Sequence, residues 1–171
     1  MTVIASTERT LVRAFTLDDL DALAEIQADQ AVMRYVSSRS LTRDETAAQI
    51  DRILAYQRAL GFSLWAVVDR MSGALLGRAG LLVQIIDGAP EVEVAYLLAR
   101  GAWGRGLGTE VAGAVLQHAR EVVGLRRVIA LVHPQNHASA RVVEKLGFAR
   151  ERRIEWHGEP RDVFSVGDAR T

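Results

Sequence analysis

Hydrophobic positions in the first third of the chain recur with the period of a helix. An apolar segment at residues 10–15 predicts a first strand, and Leu20, Leu23 and Ile26 after it are spaced to lie on one helical face. Residues 42–45 (Thr-Arg-Asp-Glu) predict the start of a second helix, because a hydroxyl followed three residues later by a glutamate forms a capping box. The pattern therefore predicts a strand followed by two amphipathic helices.

The period changes in the middle of the chain, where the apolar segments become short and turn-forming residues separate them. Residues 64–68, 75–86 and 92–98 predict three strands joined by tight turns, which is an antiparallel meander. An amphipathic helix follows, and residues 128–132 predict a further strand. A short helix then ends at Gly147, a residue suited to the position after a helix, and the tail predicts a hairpin.

The order of these elements predicts an α/β (α+β) fold with a mixed sheet. About seven strands and about four helices follow one another as strand, two helices, three strands, helix, strand, helix and two strands. The sheet is expected to be mostly antiparallel with at least one parallel crossover. A length of 171 residues is near the ~150 typical of one domain. Residues 1–171 are therefore expected to form a single domain with a core at about 8–166.

Composition narrows the classes of protein. The 21 basic and 21 acidic residues cancel, whereas a domain that binds duplex nucleic acid usually carries an excess of positive charge. The absence of cysteine excludes a disulfide scaffold, a thiolate nucleophile and a sulfur-ligated metal. The N-terminus lacks the pattern of a signal peptide, and the apolar segments are too short to span a bilayer. We expect a soluble cytoplasmic protein without nucleic-acid or membrane partners.

The most distinctive motif is Trp-Gly-Arg-Gly-Leu-Gly-Thr at residues 103–109, between a predicted strand and a predicted helix. Glycine permits close approach of the backbone to a ligand, and a helix N-terminus presents free N–H groups and a positive dipole end. The motif therefore predicts a phosphate cradle, with a simple tight turn as the alternative. Its spacing differs from the dinucleotide fingerprint, and it lacks the Gly-Lys-Ser/Thr of the P-loop.

A second motif lies in the next predicted helix. It comprises Asn-His-Ala-Ser at residues 136–139 and Glu-Lys-Leu-Gly-Phe at residues 144–148. Asn136 is suited to cap the start of this helix, Ser139 to lie in its first turn and Gly147 to end it. These roles do not prevent the same side chains from facing a ligand.

Together, the two motifs resemble those of the GNAT superfamily of acyl-CoA N-acyltransferases. The likeness is closest to the Rim-type (RimJ/RimL-like) N-terminal acetyltransferases of ribosomal proteins. It extends over nearly the whole chain, from residues 11–13 to about Val166, and includes the strand at residues 92–98. It implies a GNAT fold in which the fourth and fifth strands splay apart, with acetyl-CoA as co-substrate.

The resemblance also implies which residues hold acetyl-CoA. The exposed backbone of the fourth strand would pair with the pantetheine arm, and the amides of the glycine motif would hold the pyrophosphate. The Asn136 side chain would hydrogen-bond near the pantetheine or the splayed strands. The cofactor-binding residues implied in this way are Tyr96, Leu97, Leu98, Gly104, Arg105, Gly106, Leu107, Gly108, Thr109 and Asn136.

Two positions depart from the superfamily pattern. The glycine motif begins with Trp103 instead of the usual Gln or Arg, as is common in the Rim-like branch. Val143 stands where many members carry a tyrosine that protonates the departing thiolate. The expected catalytic residues are then Glu93, as a general base acting through a water, and Ser139, as proton donor to the thiolate. The alternatives are a solvated or substrate-docking role for Glu93 and a capping role for Ser139.

The expected function is transfer of an acetyl group from acetyl-CoA to a primary amine. Since no cysteine can carry the acyl group, direct attack in a ternary complex is expected. The acceptor is left open between a protein N-terminal α-amine and a small-molecule amine. Tyr35, Ser37 and Trp65 are candidates to contact it. The alternative function is a non-catalytic acyl-CoA-binding domain on the same fold.

Further properties are left open by the sequence. A longer acyl group and a homodimer both fit it. Asp87, Glu91 and Glu93 suggest an acidic cleft, which would suit strongly cationic acceptors. His133 and His137 are four residues apart, but the proline between them breaks any helix and no third ligand is evident. No metal site is therefore expected.

Overall fold

The computed structural model describes residues 2–37 and 39–168, which form an eight-stranded sheet flanked by helices. The strands are β1 (Val3–Ser6), β2 (Thr10–Arg13), β3 (Leu64–Asp69), β4 (Leu75–Ile86), β5 (Ala89–Leu98), β6 (Arg127–Val132), β7 (Ala149–Trp156) and β8 (Glu159–Gly167). The helices are α1 (Leu20–Ala28), α2 (Gln30–Met33), α3 (Arg43–Leu60), α4 (Leu107–Glu121) and α5 (His137–Lys145).

The strand order is β1-β2-β3-β4-β5-β6-β8-β7, and every neighbouring pair is antiparallel except β5 and β6. This confirms the predicted α/β fold with a mixed, mostly antiparallel sheet and a parallel crossover through α4. The described part of the chain has one strand and one helix more than the seven strands and four helices predicted, and these are β1 and α2. β1 is largely solvent-accessible at the sheet edge and α2 is a single turn, so neither has a long periodic pattern.

Local signals explain where elements begin and reverse. At the start of α3, Thr42 Oγ1 accepts from the Glu45 backbone N–H at 3.2 Å and Glu45 Oε2 accepts from the Thr42 N–H at 2.8 Å, which is the predicted capping box. Asp87 (φ 51°) and Gly88 (φ 77°) form the two-residue turn between β4 and β5. Paired left-handed residues match the twist of a hairpin, so this turn sets the β4–β5 register.

Apolar side chains fill both faces of the sheet. On one face, Leu107, Val111 and Val115 of α4 pack against β4, β5 and β6 in the largest cluster. On the other face, Leu23 of α1 and Ile50 of α3 pack against β3. Burying this apolar area is the main stabilising contribution to the fold. The sheet is thereby held between two helical layers.

β5 and β6 are paired over a very short distance. In the described residues, Glu93 and Ile129 are the one pair in register between them, whereas β5 pairs with β4 along its whole length. Arg127 holds the paired end together, since Nε donates to Glu91 of β5 at 3.1 Å and Nη1 donates to Glu151 of β7 at 2.8 Å. The two strands separate beyond that end. This is the splay expected for the fourth and fifth predicted strands. They are β5 and β6 in the structure because the additional strand β1 precedes them.

Candidate active site

Two clefts open where β5 and β6 separate. The larger has a volume of about 460 Å³ and lies between the end of β5, the start of α4 and the start of α5. The smaller has a volume of about 240 Å³ and lies between β4, β5, the end of β6 and β8. The residues that line both clefts are Tyr35, Val36, Tyr96, Asn136 and Ser139. These five residues therefore mark the junction of the two clefts.

The glycine motif forms one wall of the larger cleft. Gly104 (φ 70°) and Gly106 (φ 76°) adopt left-handed backbone conformations, which let the chain turn sharply into α4 at Leu107. The first N–H groups of α4 have no partner within the helix and carry the positive end of its dipole. The wall therefore offers hydrogen-bond donors suited to a phosphate group.

Most residues predicted to bind acetyl-CoA line this larger cleft. The exception is Arg105, whose backbone carbonyl accepts from Arg9 Nη1 at 2.8 Å. The residues that do line it are Tyr96, Leu97, Leu98, Gly104, Gly106, Leu107, Gly108, Thr109 and Asn136. Their contact with acetyl-CoA stays a prediction.

Two sets of contacts hold the glycine motif in position. Trp103 Nε1 donates to the carbonyl of Leu98 at 2.8 Å, which ties the motif to the end of β5. Arg9, between β1 and β2, donates with Nε to Glu110 of α4 at 2.7 Å and with Nη1 to the Arg105 carbonyl. Trp103, which replaces the usual Gln or Arg, thus has a structural role. Its indole N–H supplies the hydrogen bond that ties the motif to β5.

Glu93 is a partly buried carboxylate in the smaller cleft. Gln84 of β4 donates with Nε2 to Glu93 Oε2 at 2.7 Å. Loss of hydration raises the pKa of Glu93 to about 7. Hydrogen bonds from Gln84 and the Leu131 backbone act in the opposite direction, and so do nearby arginine charges. A carboxyl group with a pKa near neutrality can accept and release a proton at physiological pH.

Tyr96 and Ser139 meet at the junction of the clefts. The Tyr96 hydroxyl and Ser139 Oγ are 2.8 Å apart, and either oxygen is able to donate the hydrogen bond. Ser139 lies in the first turn of α5, where its backbone N–H donates to Asn136 Oδ1 at 3.1 Å. Asn136 therefore caps α5 as its sequence position predicts. Burial raises the pKa of Tyr96, which keeps its hydroxyl protonated at neutral pH.

The three residues predicted to contact the acceptor lie in different places. Tyr35 lines both clefts, and its ring centroid is 5.1 Å from that of His133. Ser37 lines neither cleft, and its Oγ accepts from the Arg39 backbone N–H at 3.4 Å. Trp65 is 1% exposed in the core and donates to Gln57 Oε1 at 2.8 Å. Of the three, Tyr35 alone lines a cleft, and contact of Tyr35 or Ser37 with the acceptor stays a prediction.

The acidic cleft that the sequence suggested does not form. Glu91 accepts from Arg127 at the closed end of the splay, and Asp87 accepts from Arg152 at 2.8 Å. Neither acid lines a cleft, and Glu93 is left with two arginines in its cleft, Arg78 and Arg161. The hint was wrong because sharing a face of β5 does not put Glu91 in the cleft with Glu93: Arg127 neutralises Glu91 at the closed end of the splay, and Arg152 neutralises Asp87 in the turn.

Sequence reasoning missed several cleft residues because they carry no motif. Gln84, Arg161 and the Tyr96 hydroxyl acquire their positions from strand pairing. Arg78 did leave a signal, because it interrupts the apolar segment at residues 75–86. A charged residue inside a buried strand is rare unless it has a partner.

Two searches of the described residues were negative. In 2–37 and 39–168, no three His, Asp or Glu side chains are grouped so that they could hold a metal ion. Within the same residues, no helix is both long and apolar enough to cross a membrane.

Comparison of the sequence with known proteins gives consistent matches. The profile of the acetyltransferase (GNAT) domain matches residues 9–149. The uncharacterized protein YkkB of Bacillus subtilis is 32% identical over 136 residues, covering 80% of this chain and 78% of that protein. The uncharacterized N-acetyltransferase YnaD of the same organism is 26% identical over 146 residues, covering 85% and 82%.

Comparison of structures gives the same fold. RimJ of Mycobacterium smegmatis, solved in complex with CoA-disulfide, superimposes with a TM-score of 0.77 at 20% sequence identity. The match covers 97% of this chain and 84% of that one. The similarity of fold therefore extends over nearly the whole chain.

Proposed function

This chain belongs to the GNAT acetyltransferase family, and on that premise we propose that it transfers the acetyl group of acetyl-CoA to a primary amine by direct attack in a ternary complex. One observation supports the proposal above the others. Two clefts meet at a junction that has a Tyr–Ser hydrogen bond on one side and a carboxyl group of raised pKa on the other. Two substrates could thus meet there without a covalent enzyme intermediate.

The larger cleft is suited to acetyl-CoA. Its wall of left-handed glycines and free helix N–H groups fits a pyrophosphate, which needs donors and positive potential but no particular side chain. The separated end of β5 leaves backbone groups near Leu97 and Leu98 able to pair with the amides of a pantetheine arm. A backbone N–H in that stretch would also stabilise negative charge on the thioester oxygen.

Glu93 would act as the general base. An amine acceptor is protonated at neutral pH and must lose a proton before its nitrogen can attack. Glu93, with a pKa of about 7, is ionised often enough to take that proton and protonated often enough to release it afterwards. The proton would pass through a water in the smaller cleft, which Glu93 and Ser139 both line.

Ser139 and Tyr96 would act together as the proton donor. Ser139 Oγ would give a proton to the departing thiolate and regain one from the Tyr96 hydroxyl 2.8 Å away. The N-terminal end of α5 would stabilise the negative charge on sulfur. This arrangement supplies, from β5, the hydroxyl that Val143 on α5 lacks.

The proposed steps balance. The neutral amine nitrogen attacks the thioester carbon, so a C–N bond forms and the C–S bond breaks. The amine loses one proton towards Glu93 before attack and a second from the product nitrogen to solvent. The thiolate receives one proton from Ser139, Ser139 regains one from Tyr96 and Tyr96 regains one from solvent. The products are the N-acetylated amine and CoA, with one proton released overall.

The direct test is binding and turnover on the purified protein. Acetyl-CoA at about 100 times its dissociation constant should stabilise the fold by roughly 2.7 kcal/mol, which moves the melting midpoint by about 5–10 °C for a chain of this size. NAD should not shift it. Release of free thiol from acetyl-CoA should then depend on an added amine. Binding without amine-dependent thiol release would favour the non-catalytic alternative, and no binding would overturn the proposal.

The remaining parts of the proposal rest on the sequence. We propose one acetyltransferase domain with a core at about 8–166, which agrees with the continuous sheet from β1 to β7. The cytoplasmic location, the choice between a protein N-terminus and a small amine, and a homodimer stay predictions from the sequence alone.

A further inference from the structure

Arg78 is a buried cation in the smaller cleft. It lies on β4, is 6% exposed and lines the cleft beside Glu93. Its Nε is buried and has no hydrogen-bond partner among the described residues. A buried donor without an acceptor destabilises the protein that contains it. Nε itself is closed to solvent, so the donors that a ligand oxygen can reach are the Nη atoms at the end of this side chain, which lines the cleft.

Arg161, the other arginine in this cleft, has hydrogen-bond partners within the protein, whereas no such partner is seen for Arg78 in the described part of the chain. Arg161 Nη2 donates to Glu159 at 3.0 Å, and Nη1 donates to the Pro160 carbonyl at 2.9 Å. Burial lowers the pKa of Arg78 to about 10, with Glu93 as the charge that opposes this effect. Arg78 is therefore still protonated at neutral pH, and its guanidinium retains free donors.

Arg78 and Glu93 lie on one face of the sheet and form no ion pair with each other among the described residues. Arg78 is opposite Leu97 and Glu93 is opposite Leu82 in the β4–β5 ladder. Arg78 and Leu82 are four residues apart, an even number that places both on the same face, with their Cα atoms ~13 Å apart. The cleft thus contains a cation and a carboxyl group that are not bonded to each other, an arrangement complementary to a molecule that contains both an anion and an ammonium group.

We propose that the amine acceptor of this enzyme carries an anionic oxygen group, a carboxylate or a phosphate, which Arg78 binds while Glu93 receives the amine. The inference rests on the proposed function and specifies its substrate class. The acceptor is then a small zwitterionic amine, such as an amino acid or an amino sugar phosphate. A polyamine is excluded, because its charges would face Arg78 and Arg161 in a cleft of about 240 Å³.

The test compares matched pairs of acceptors in the acetyl-CoA thiol-release assay. One arm pairs amino acids with their amides, and the other pairs glucosamine 6-phosphate with glucosamine. Polyamines and an uncharged primary amine complete the panel. In at least one arm the anionic member should have a kcat/KM higher by about 10–100-fold, the range for hydrogen bonds to charged groups. The arm that shows the preference identifies the anion.

Variants separate binding by Arg78 from an indirect effect on Glu93. Arg78→Met should remove the preference mainly through KM of the anionic acceptor, and Arg78→Lys should restore part of it. Arg126→Met, at an exposed position outside both clefts, should keep the preference. A cation that only positions Glu93 would instead change kcat and its pH profile equally for both members of a pair. The melting temperature of Arg78→Met should be unchanged or higher, because the variant removes an unpaired buried charge.

Each outcome decides the question. Acetylation of neutral or cationic amines as efficiently as their anionic partners would overturn the inference and leave the proposed function standing. An unchanged preference in Arg78→Met would overturn the role of Arg78. Failure to acetylate any amine in the panel would overturn the inference. The proposed function is tested separately with peptide N-termini as acceptors, and it is overturned if they too give no amine-dependent release of thiol.

Discussion

At the scale of single residues, the chemistry of the site depends on how much water reaches each charged side chain. Glu93 and Arg78 lie in the same cleft, where burial favours the neutral form of each. It raises the pKa of Glu93 and lowers the pKa of Arg78. For Glu93 the shift brings the pKa to about 7, where a carboxyl group can exchange protons. For Arg78 it leaves the group charged and in need of an acceptor. From residue type alone, a glutamate and an arginine would both be expected at the solvent-exposed surface of the protein.

Glu93→Gln tests the general base. The wild-type rate should rise with pH through about 7 as Glu93 loses its proton, because the ionised form is the base. The variant should lose this limb and show a kcat lower by about 10²–10⁴-fold. The measurement is kcat against pH for both proteins, with Glu25→Gln on the exposed face of α1 as control. A rising limb near pH 7 that survives in Glu93→Gln would assign it to another group.

Tyr96→Phe tests the proton donor. The ring stays in place and the hydroxyl that contacts Ser139 is lost, so kcat should fall by about tenfold or more with little change in KM for acetyl-CoA. Ser139→Ala keeps the backbone N–H that Asn136 caps and should have a similar effect. The double variant should lose little more than the worse single variant, since the two hydroxyls act in sequence. Tyr56→Phe, at an exposed position on α3, is the control. Fully additive losses would contradict the relay.

At the scale of elements, the site is built from ends of regular structure rather than from their middles. β5 ends at the glycine motif, α4 begins at Leu107 and α5 begins beside Ser139. Helix starts have free N–H groups and a positive dipole end, and an unpaired strand end has free backbone groups. The same features that terminate these elements therefore make them able to bind a ligand.

Gly106→Ala tests the turn into α4. A side chain at φ 76° costs about 1–2 kcal/mol in the left-handed region, and the strain falls at the first turn of α4, so acetyl-CoA should bind more weakly. Gly124→Ala is a matched control, because Gly124 has φ 79° and no atom within 4 Å of an added Cβ, and lies far along the chain at the other end of α4. Both variants should lose similar stability in a thermal melt. Equal losses of acetyl-CoA affinity in calorimetry would refute a specific role of Gly106.

At the scale of the whole molecule, the active-site geometry depends on a sheet that is closed at one end of the β5–β6 pair and open at the other. Arg127 holds the closed end through Glu91 of β5 and Glu151 of β7. The hydrogen bond from Arg127 holds the pKa of Glu151 at about 2, well below its ordinary value. At the open end the strands separate and both clefts form. The ion pairs of Arg127 thus stabilise the end of the β5–β6 pair from which the two clefts open.

Glu151→Gln tests this closure. Because the folded-state pKa of Glu151 is depressed, its contribution to stability is fully present above the unfolded value of about 4.5 and is lost as pH falls towards about 2. The variant should therefore melt at a lower temperature than wild type at pH 7, and the difference should shrink as the pH approaches 3. Glu155→Gln on the same strand is the control. A difference in melting temperature that stays constant with pH would show that the carboxylate charge is not responsible.

Local signals in the amino-acid sequence predict most of the helices and strands and the family. The capping box of α3, the glycine motif before α4 and the Asn–Ser spacing of α5 each depend on residues a few positions apart. The weak edge strand β1 and the single turn α2 were missed because four residues are too few for a period to appear. A hydrophobic period becomes visible only when it repeats, so the longer helices and strands are the ones that the sequence predicts.

Which side chains share a cleft depends on contacts between distant segments of the chain. Strand pairing places Arg78 and Glu93, 15 positions apart, on one face of the sheet, and the meeting of β5 with α5 places Tyr96 beside Ser139. The same packing buries Trp65 in the core and directs Glu91 to Arg127. Burial, partners and pKa shifts arise from such contacts between segments distant in the chain. No local pattern contains them, so they become visible only when the sheet is assembled.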